Sequence, residues 1–124
     1  MGLSDDLHRP RTDKQLRGQA AEDAALAHLE RHGLILIERN FRCKGGEIDL
    51  VMRQRDSLVF IEVRKRSSAR YGGAAASVTT AKQARLTIAA QVYLMRYKTP
   101  PACRFDVVAI DGEALTWLQN AIDA

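Results

Sequence analysis

Apolar and polar positions alternate most regularly in the middle of the chain. Residues 45–53 and 58–66 are apolar, rich in β-branched side chains and each about the length of a strand. The polar residues 54–57 between them suit a hairpin turn. Closing that turn with Arg53 opposite Leu58 fixes the register of the two strands. The pairs that follow are Met52/Val59, Val51/Phe60, Leu50/Ile61 and Asp49/Glu62.

One face of this predicted hairpin is wholly apolar, because side chains alternate between faces. Its members are Ile48, Leu50, Met52, Val59, Ile61 and Val63. The other face carries Asp49 directly opposite Glu62, and beyond them Glu47 opposite Arg64. Facing like charges destabilise a sheet, so two such carboxylates either share a proton or share a cation such as Mg2+. The alternative is a surface hairpin with a slightly different register and solvated acids.

The remaining elements follow from helical and strand periodicity. In chain order they are a helix over residues 13–32, a strand over 34–39, a turn over 40–46, a loop over 67–76, a helix over 80–97, and strands over 103–110 and 114–118. With the central hairpin, this pattern predicts the order α-β-β-β-α-β-β, a mixed α/β sheet with helices packed on it. At 124 residues the chain suits one domain, which we place at residues 13–120 after a disordered segment at 1–12.

The first predicted helix carries an acid among small and apolar residues. Asp13 is its expected N-cap and Gly33 its C′ residue. Steps of four, three and four residues place on one face Gly18, Glu22, Ala25 and Leu29. Glu22 is therefore expected to be partly buried, either paired with an arginine or lysine or contributing to the metal site. A further acid, Asp106, is expected to pair with a nearby arginine rather than with a metal.

The charge distribution is uneven along the chain. The net charge is +4 and the isoelectric point is about 9.4, a modest excess that permits a polyanionic partner. From residue 62 to residue 85 one acid stands against six cations, which are Arg64, Lys65, Arg66, Arg70, Lys82 and Arg85. A basic segment beside paired acids fits an enzyme that holds a phosphate backbone near a metal. A solvated charged face is the alternative.

Seven residues are candidates for contacts with nucleic acid. They are Arg42, Lys44, Arg66, Arg70, Tyr71, Lys82 and Arg85. Lys82 and Arg85 follow the expected cap Thr79 at the start of the second helix, where free amide groups favour anions. Tyr71, in the predicted loop, either stacks on a base or packs beneath the loop. For the cations, ordinary solvation is the competing interpretation.

The cysteines and the hydropathy of the chain indicate its cellular compartment. Cys43 and Cys103 show no metal-site spacing, so reduced thiols in the cytoplasm are expected. No apolar run approaches the roughly 18 residues that a membrane span needs. We therefore expect no membrane partner.

Seven short motifs between residues 18 and 117 resemble, in their order, a known family. They are Gly18-x-x-x-Glu22-x-x-Ala25, Arg39-Asn40-Phe41-Arg42, Gly46-Glu47-Ile48-Asp49-Leu50, Phe60-Ile61-Glu62-Val63-Arg64, Tyr71-Gly72-Gly73, Val78-Thr79 with Lys82, and Arg104-Phe105-Asp106-Val107-Val108. Each motif is weak alone. The ordered set resembles the YraN family of endonuclease-like bacterial proteins, within the PD-(D/E)XK nuclease superfamily and related to archaeal Holliday-junction resolvases.

The resemblance implies a restriction-endonuclease-like fold and metal-dependent hydrolysis of phosphodiesters in DNA, including branched or damaged DNA. It assigns Asp49 and Glu62 to Mg2+ or Mn2+, with Glu22 completing the metal shell directly or through water. Arg64 occupies the position of the signature's lysine, and an arginine can hold phosphate but is a poor proton carrier. The alternative is therefore a nucleic-acid-binding module with weak or no cleavage. The resemblance also allows a homodimer.

Overall fold

A computed structural model describes residues 12–66 and 78–122 of the chain. In chain order its elements are α1 (Asp13–Arg31), β1 (Ile35–Cys43), β2 (Gly46–Gln54), β3 (Ser57–Arg66), α2 (Thr80–Leu94), β4 (Cys103–Asp111) and β5 (Ala114–Leu118). The predicted order α-β-β-β-α-β-β is confirmed. The predictions for residues 1–11 and for the loop over 67–76 lie outside the described residues.

The five strands form one mixed sheet in the order β1-β2-β3-β4-β5. Strands β1, β2 and β3 form an antiparallel meander, and β4 and β5 form an antiparallel hairpin. The pair β3/β4 is parallel. A parallel pair needs a long crossover connection, and α2 lies within it. The start of α2 is thereby brought back over the sheet.

The two helices cover opposite faces of the sheet, and each builds its own core cluster. On the α1 side the buried residues are Ala21, Ala25, Leu29, Leu34, Leu50, Met52, Val59, Ile61, Val108 and Ile110. On the α2 side they are Ile48, Val51, Leu58, Phe60, Leu86, Ala89, Ala90, Tyr93, Phe105, Val107 and Ile122. The packed chain thus reaches Ile122. Within the described residues, no helix is both long and apolar enough to cross a membrane.

The ends of the helices follow from capping chemistry. Thr12 caps α1 through a reciprocal box with Gln15, so the prediction of Asp13 as the cap is wrong by one residue. At the other end Gly33 has a φ of 90°, and the N–H of Leu34 donates to the carbonyl of Leu29 at 3.1 Å. This is the Schellman arrangement, which confirms Gly33 as the C′ residue. Thr79 caps α2 as predicted, although the helix ends at Leu94, three residues before the predicted end.

Strand β1 is longer than its sequence pattern predicts. Residues 40–46 were expected to form a turn, but only 44 and 45 do so, and β1 continues to Cys43. Asn40 lies inside the strand with a φ of 53°, a left-handed conformation that asparagine tolerates better than most residues. The turn prediction was wrong because asparagine and glycine can also serve an irregular strand.

The hairpin register is confirmed from Arg53/Leu58 to Leu50/Ile61, and the ladder then stops. The placement of Ile48 on the same face as Leu50 is wrong, because these two residues enter different core clusters. The alternation of faces is therefore interrupted at Asp49. This interruption positions the candidate site.

Candidate metal centre and its basic cleft

Asp49 lies where strands β2 and β3 separate. Its Oδ2 accepts a hydrogen bond of 2.8 Å from the backbone N–H of Val63. Because the N–H groups of a strand point along the plane of the sheet, this carboxylate occupies the position that a carbonyl of β2 would have in a continued ladder. Asp49 and Glu62 therefore meet beyond the end of the ladder, and not as the directly paired residues that the sequence predicts.

The two carboxyl groups are close enough to interact: the charge of Glu62 opposes the ionisation of Asp49, and a hydrogen bond with Asp49 acts to lower the pKa of Glu62. Burial, followed by the charge of Glu62, raises the pKa of Asp49 to about 8, and the bond from Val63 acts in the opposite direction. Burial also raises the pKa of Glu62, while the charges of Arg64 and Lys82 act to lower it. The pair is therefore an unfavourable concentration of negative charge that a proton or a cation would relieve.

A small cleft of about 90 Å³, which we call the acid cleft, contains Glu62 together with three cations. Its lining residues are Glu47, Glu62, Arg64, Lys82 and Arg85. The Nη1 atom of Arg64 lies 3.5 Å from Oε1 of Glu62. Burial, followed by the charge of Arg64, lowers the pKa of Lys82. The β3 strand thus supplies an acid and an arginine, and α2 supplies a lysine and an arginine from the opposite wall.

Strand β2 and helix α2 touch each other backbone to backbone at Gly46. A Cβ at this position would lie 2.3 Å from the carbonyl oxygen of Arg85 and 2.8 Å from the amide nitrogen of Ala89. Only glycine permits this approach. The approach fixes the middle of α2, from Arg85 to Ala89, against the strand that carries Asp49, and Lys82 lies one turn before it.

Glu22 is near the acid pair but is held by another residue. Its side chain is 18% exposed, and Oε1 lies 3.5 Å from Nη2 of Arg39, which also contacts Asp23 at 2.8 Å. The charge of Glu22 contributes to raising the pKa of Asp49, after burial, Glu62 and alongside Glu47. Within the described ranges, no three His, Cys, Asp or Glu side chains converge to hold a metal ion by themselves. The structure therefore brings Asp49 and Glu62 together and leaves Glu22 paired with Arg39.

The predicted nucleic-acid contacts fall at different places. Lys82 and Arg85 line the acid cleft. Arg42 forms an exposed ion pair of 3.6 Å with Glu47, which the sequence had placed opposite Arg64. Lys44 is exposed in the β1–β2 turn. The side chains of the other candidates, Arg66, Arg70 and Tyr71, lie outside the description.

Two larger clefts lie on the same part of the molecule, and the first of them shares Glu47 and Arg85 with the acid cleft. The first, of about 300 Å³, is lined by Arg42, Cys43, Gly45, Gly46, Glu47 and Arg85. The second, of about 540 Å³, is lined by Gln15, Gln19, Glu22, Arg39, Asn40 and Arg42. Sequence reasoning missed the carboxamides among them. The spacing of Gln15, Gln19 and Glu22 by four and three residues could have shown that they share a helix face.

The donor set suits a hard divalent cation. Asp49 and Glu62 provide carboxylate oxygens, and Mg2+ is commonly held by one or two carboxylates with the remaining positions taken by water and substrate phosphate. A cation there would replace the proton that the pair otherwise retains. The residues present therefore fit a cation that two acids hold and whose remaining coordination positions are taken by water and substrate phosphate.

Comparison with known proteins places the chain in a family. A match to the uncharacterised protein family UPF0102 covers residues 21–110. A UPF0102 protein of Janthinobacterium sp. (strain Marseille) is 66% identical over 116 residues, which is 94% of each chain. Another, of Herminiimonas arsenicoxydans, is 62% identical over 124 residues and covers 100% of each chain. The resemblance to the YraN family is thereby confirmed, and the chain belongs to the uncharacterised protein family UPF0102.

Proposed function

We propose that this protein is a divalent-metal-dependent nuclease that hydrolyses phosphodiester bonds in DNA. The observation that carries the proposal is the meeting of Asp49 and Glu62 at the end of the β2–β3 ladder, beside a cleft with three cations. Paired acids hold a cation, and neighbouring cations hold the phosphate that the reaction attacks.

Each residue has a role that follows from its position. Asp49 and Glu62 would hold Mg2+ or Mn2+, which when bound supplies the Lewis acidity that activates water and stabilises negative charge on a phosphoryl oxygen. Arg64 donates hydrogen bonds to the scissile phosphate and keeps its proton. Lys82 adds a second positive charge from the start of α2. Glu22 orients a water molecule at the edge of the site while Arg39 holds its carboxylate in place.

The arrangement of the strands supports a restriction-endonuclease-like fold. Asp49 lies on β2 and Glu62 lies on the neighbouring strand β3, as the PD-(D/E)XK signature requires. Helix α2 then crosses to a parallel strand. The signature's lysine is replaced by Arg64, so turnover is expected to be slow.

A cleavage panel tests the proposal. Single-stranded, duplex, flap and four-way DNA substrates are incubated with Mg2+, Mn2+ or Ca2+, and cleavage is compared between wild type, Asp49→Asn and Glu62→Gln. Asn can still accept the bond from Val63, so the first variant keeps the fold. Asp56→Asn and Glu113→Gln, at exposed positions, are the matched controls. Cleavage that survives both Asp49→Asn and Glu62→Gln would refute the assignment.

Specific contacts favour a second candidate, a nucleic-acid-binding module without cleavage. Arg64 contacts Glu62, and Glu22 contacts Arg39, so two of the proposed acids already have cationic partners. Binding of Mn2+ and of DNA without any cleavage across the panel would select this candidate over the nuclease.

A further inference from the structure

The three clefts follow one another, linked by lining residues that they share, and we treat them as one groove. Arg42 belongs to both of the larger clefts, and Glu47 and Arg85 belong to both the middle cleft and the acid cleft. The groove therefore runs from helix α1, past the β1–β2 turn, to the start of α2. The α1 end of this groove is lined by Gln15, Gln19 and Asn40. We call this end the carboxamide groove.

The carboxamide groove has the chemistry of a nucleobase site. A carboxamide both donates and accepts, as the edges of all nucleobases do. Gln15 uses its Oε1 for the helix cap, which leaves its NH2 group to donate. The volume of about 540 Å³ is within the range of small-molecule sites. Arg39 and Arg42 add cations beside the carboxamides.

The concave shape of the groove discriminates between paired and unpaired strands. To reach base edges inside a duplex, a protein must insert a protruding helix or ribbon into a DNA groove. Here the carboxamides line a concavity, so bases must come to them. Bases that are unpaired can be splayed out in this way.

We infer that the carboxamide groove binds the bases of an unpaired nucleic-acid strand whose phosphodiester lies at the acid pair. The inference rests on the proposed function and names its substrate class. Along the groove, phosphates replace the partners of those cations whose ion pairs are largely exposed. The Arg42–Glu47 pair is the clearest case, because its atoms are 3.6 Å apart and both side chains are largely exposed.

The test compares the binding of labelled oligonucleotides to wild type and to Gln19→Ala/Asn40→Gly. Ca2+ replaces Mg2+ so that binding is measured without turnover. Glycine accepts the positive φ of Asn40, so the strand should keep its shape. The matched control is Gln91→Ala/Asn120→Gly, since Gln91 is exposed on α2 and Asn120 also has a positive φ of 51°. Melting temperatures verify that both double variants fold, and Gln19→Ala alone provides a variant with an unaltered strand.

Unpaired strands of about 4–16 nucleotides are measured beside duplexes of the same sequence, in deoxyribose and ribose forms. Wild type is expected to prefer the unpaired strand, and the groove variant to lose about tenfold in affinity for it, as expected for two lost hydrogen bonds. The control variant should bind as wild type does. The preferred sugar identifies the strand as DNA or RNA.

Two results would overturn the inference while leaving the proposed function intact. One is equal affinity of wild type and the groove variant for every strand, while wild type still cleaves. The other is a wild-type preference for the duplex. Absence of both binding and cleavage in wild type would instead refute the inference and the proposed function together.

Discussion

Two arginine–carboxylate pairs lie on neighbouring parallel strands, and in each pair the partners are two residues apart. On β4, Asp106 is fully buried and receives donors from Arg104 at 3.0 and 3.2 Å, from Nε1 of Trp117 at 2.9 Å and from the N–H of Asn120 at 2.8 Å. The expectation that Asp106 pairs with an arginine is confirmed. On β3, Glu62 has one arginine contact of 3.5 Å and a second carboxylate beside it.

The difference separates an acid that is fully hydrogen-bonded within the fold from the two acids that we propose bind a cation. Asp106 is surrounded by donors from the chain itself, so its charge is compensated without any other partner. Asp49 accepts a hydrogen bond from the backbone N–H of Val63, and burial followed by the charge of Glu62 raises its pKa to about 8. The same sheet therefore contains a completed polar network and an incomplete one.

The largest expected effect comes from breaking the completed network. Asp106→Ala would leave Arg104 and Trp117 without their acceptor and should lower the free energy of unfolding by about 3–5 kcal/mol. Urea denaturation measures it, with Asp56→Ala, at an exposed turn, as the control. A loss below about 1 kcal/mol would mean that the network is not the stabilising one.

The arginine of the incomplete network should matter for turnover. Arg64→Ala is expected to lower metal-dependent cleavage by roughly 10²–10³-fold, as for the loss of one preorganised donor. Arg64→Lys should raise cleavage or leave it unchanged. Lys65→Ala, the exposed next residue, is the control. Equal activity in wild type, Arg64→Lys and Arg64→Ala would remove Arg64 from the site.

The acid pair should make stability depend on pH. Because the pKa of Asp49 is about 8 when folded and its ordinary value is 3.8, the folded protein binds more protons between these values, and stability should fall as pH rises from about 4 to about 8. Asp49→Asn in the presence of a chelator should weaken that fall, and added Mn2+ should stabilise wild type only. Melting temperatures at about pH 5 and about pH 8 test this. A variant that melts below wild type at the higher pH would contradict it.

The smallest expected effect on stability belongs to the exposed pair. Arg42→Ala should change the free energy of unfolding by less than about 1 kcal/mol. It should nevertheless reduce the log–log salt slope of single-strand binding by about 0.7, as for one lost phosphate contact. Lys82→Ala should reduce the salt slope by a similar amount with a similarly small effect on stability. The control is Lys98→Ala, an exposed lysine beyond the other end of α2. An unchanged slope in both would remove these cations from the phosphate path.

Local rules predicted the parts of the site that depend on short separations in sequence. The pairs from Arg53/Leu58 to Leu50/Ile61 follow from the position of one hairpin turn and from the two-residue alternation of side chains along a strand. That rule assumes a continuous ladder. It could not foresee that the Asp49 side chain would take the place of a backbone acceptor, which ends the ladder and turns Ile48 to the other face.

The parts that sequence could not predict depend on distant elements. Lys82 was expected near phosphate, but its position beside Glu62 depends on the crossover between β3 and β4. The ion pair of Arg39 with Glu22 joins two elements whose separation no periodicity encodes. The family resemblance predicted which acids meet, and long-range packing decided which cations lie beside each of them.

The contact at Gly46 has a consequence for how this site can change over evolutionary time. A methyl group there would push α2 away from β2 and carry Lys82 and Arg85 with it, although neither cation had been altered. The positions of Lys82 and Arg85 therefore depend together on the position of α2. A substitution at Gly46 would therefore change the distance from Lys82 and Arg85 to the acids while leaving every charged residue in place.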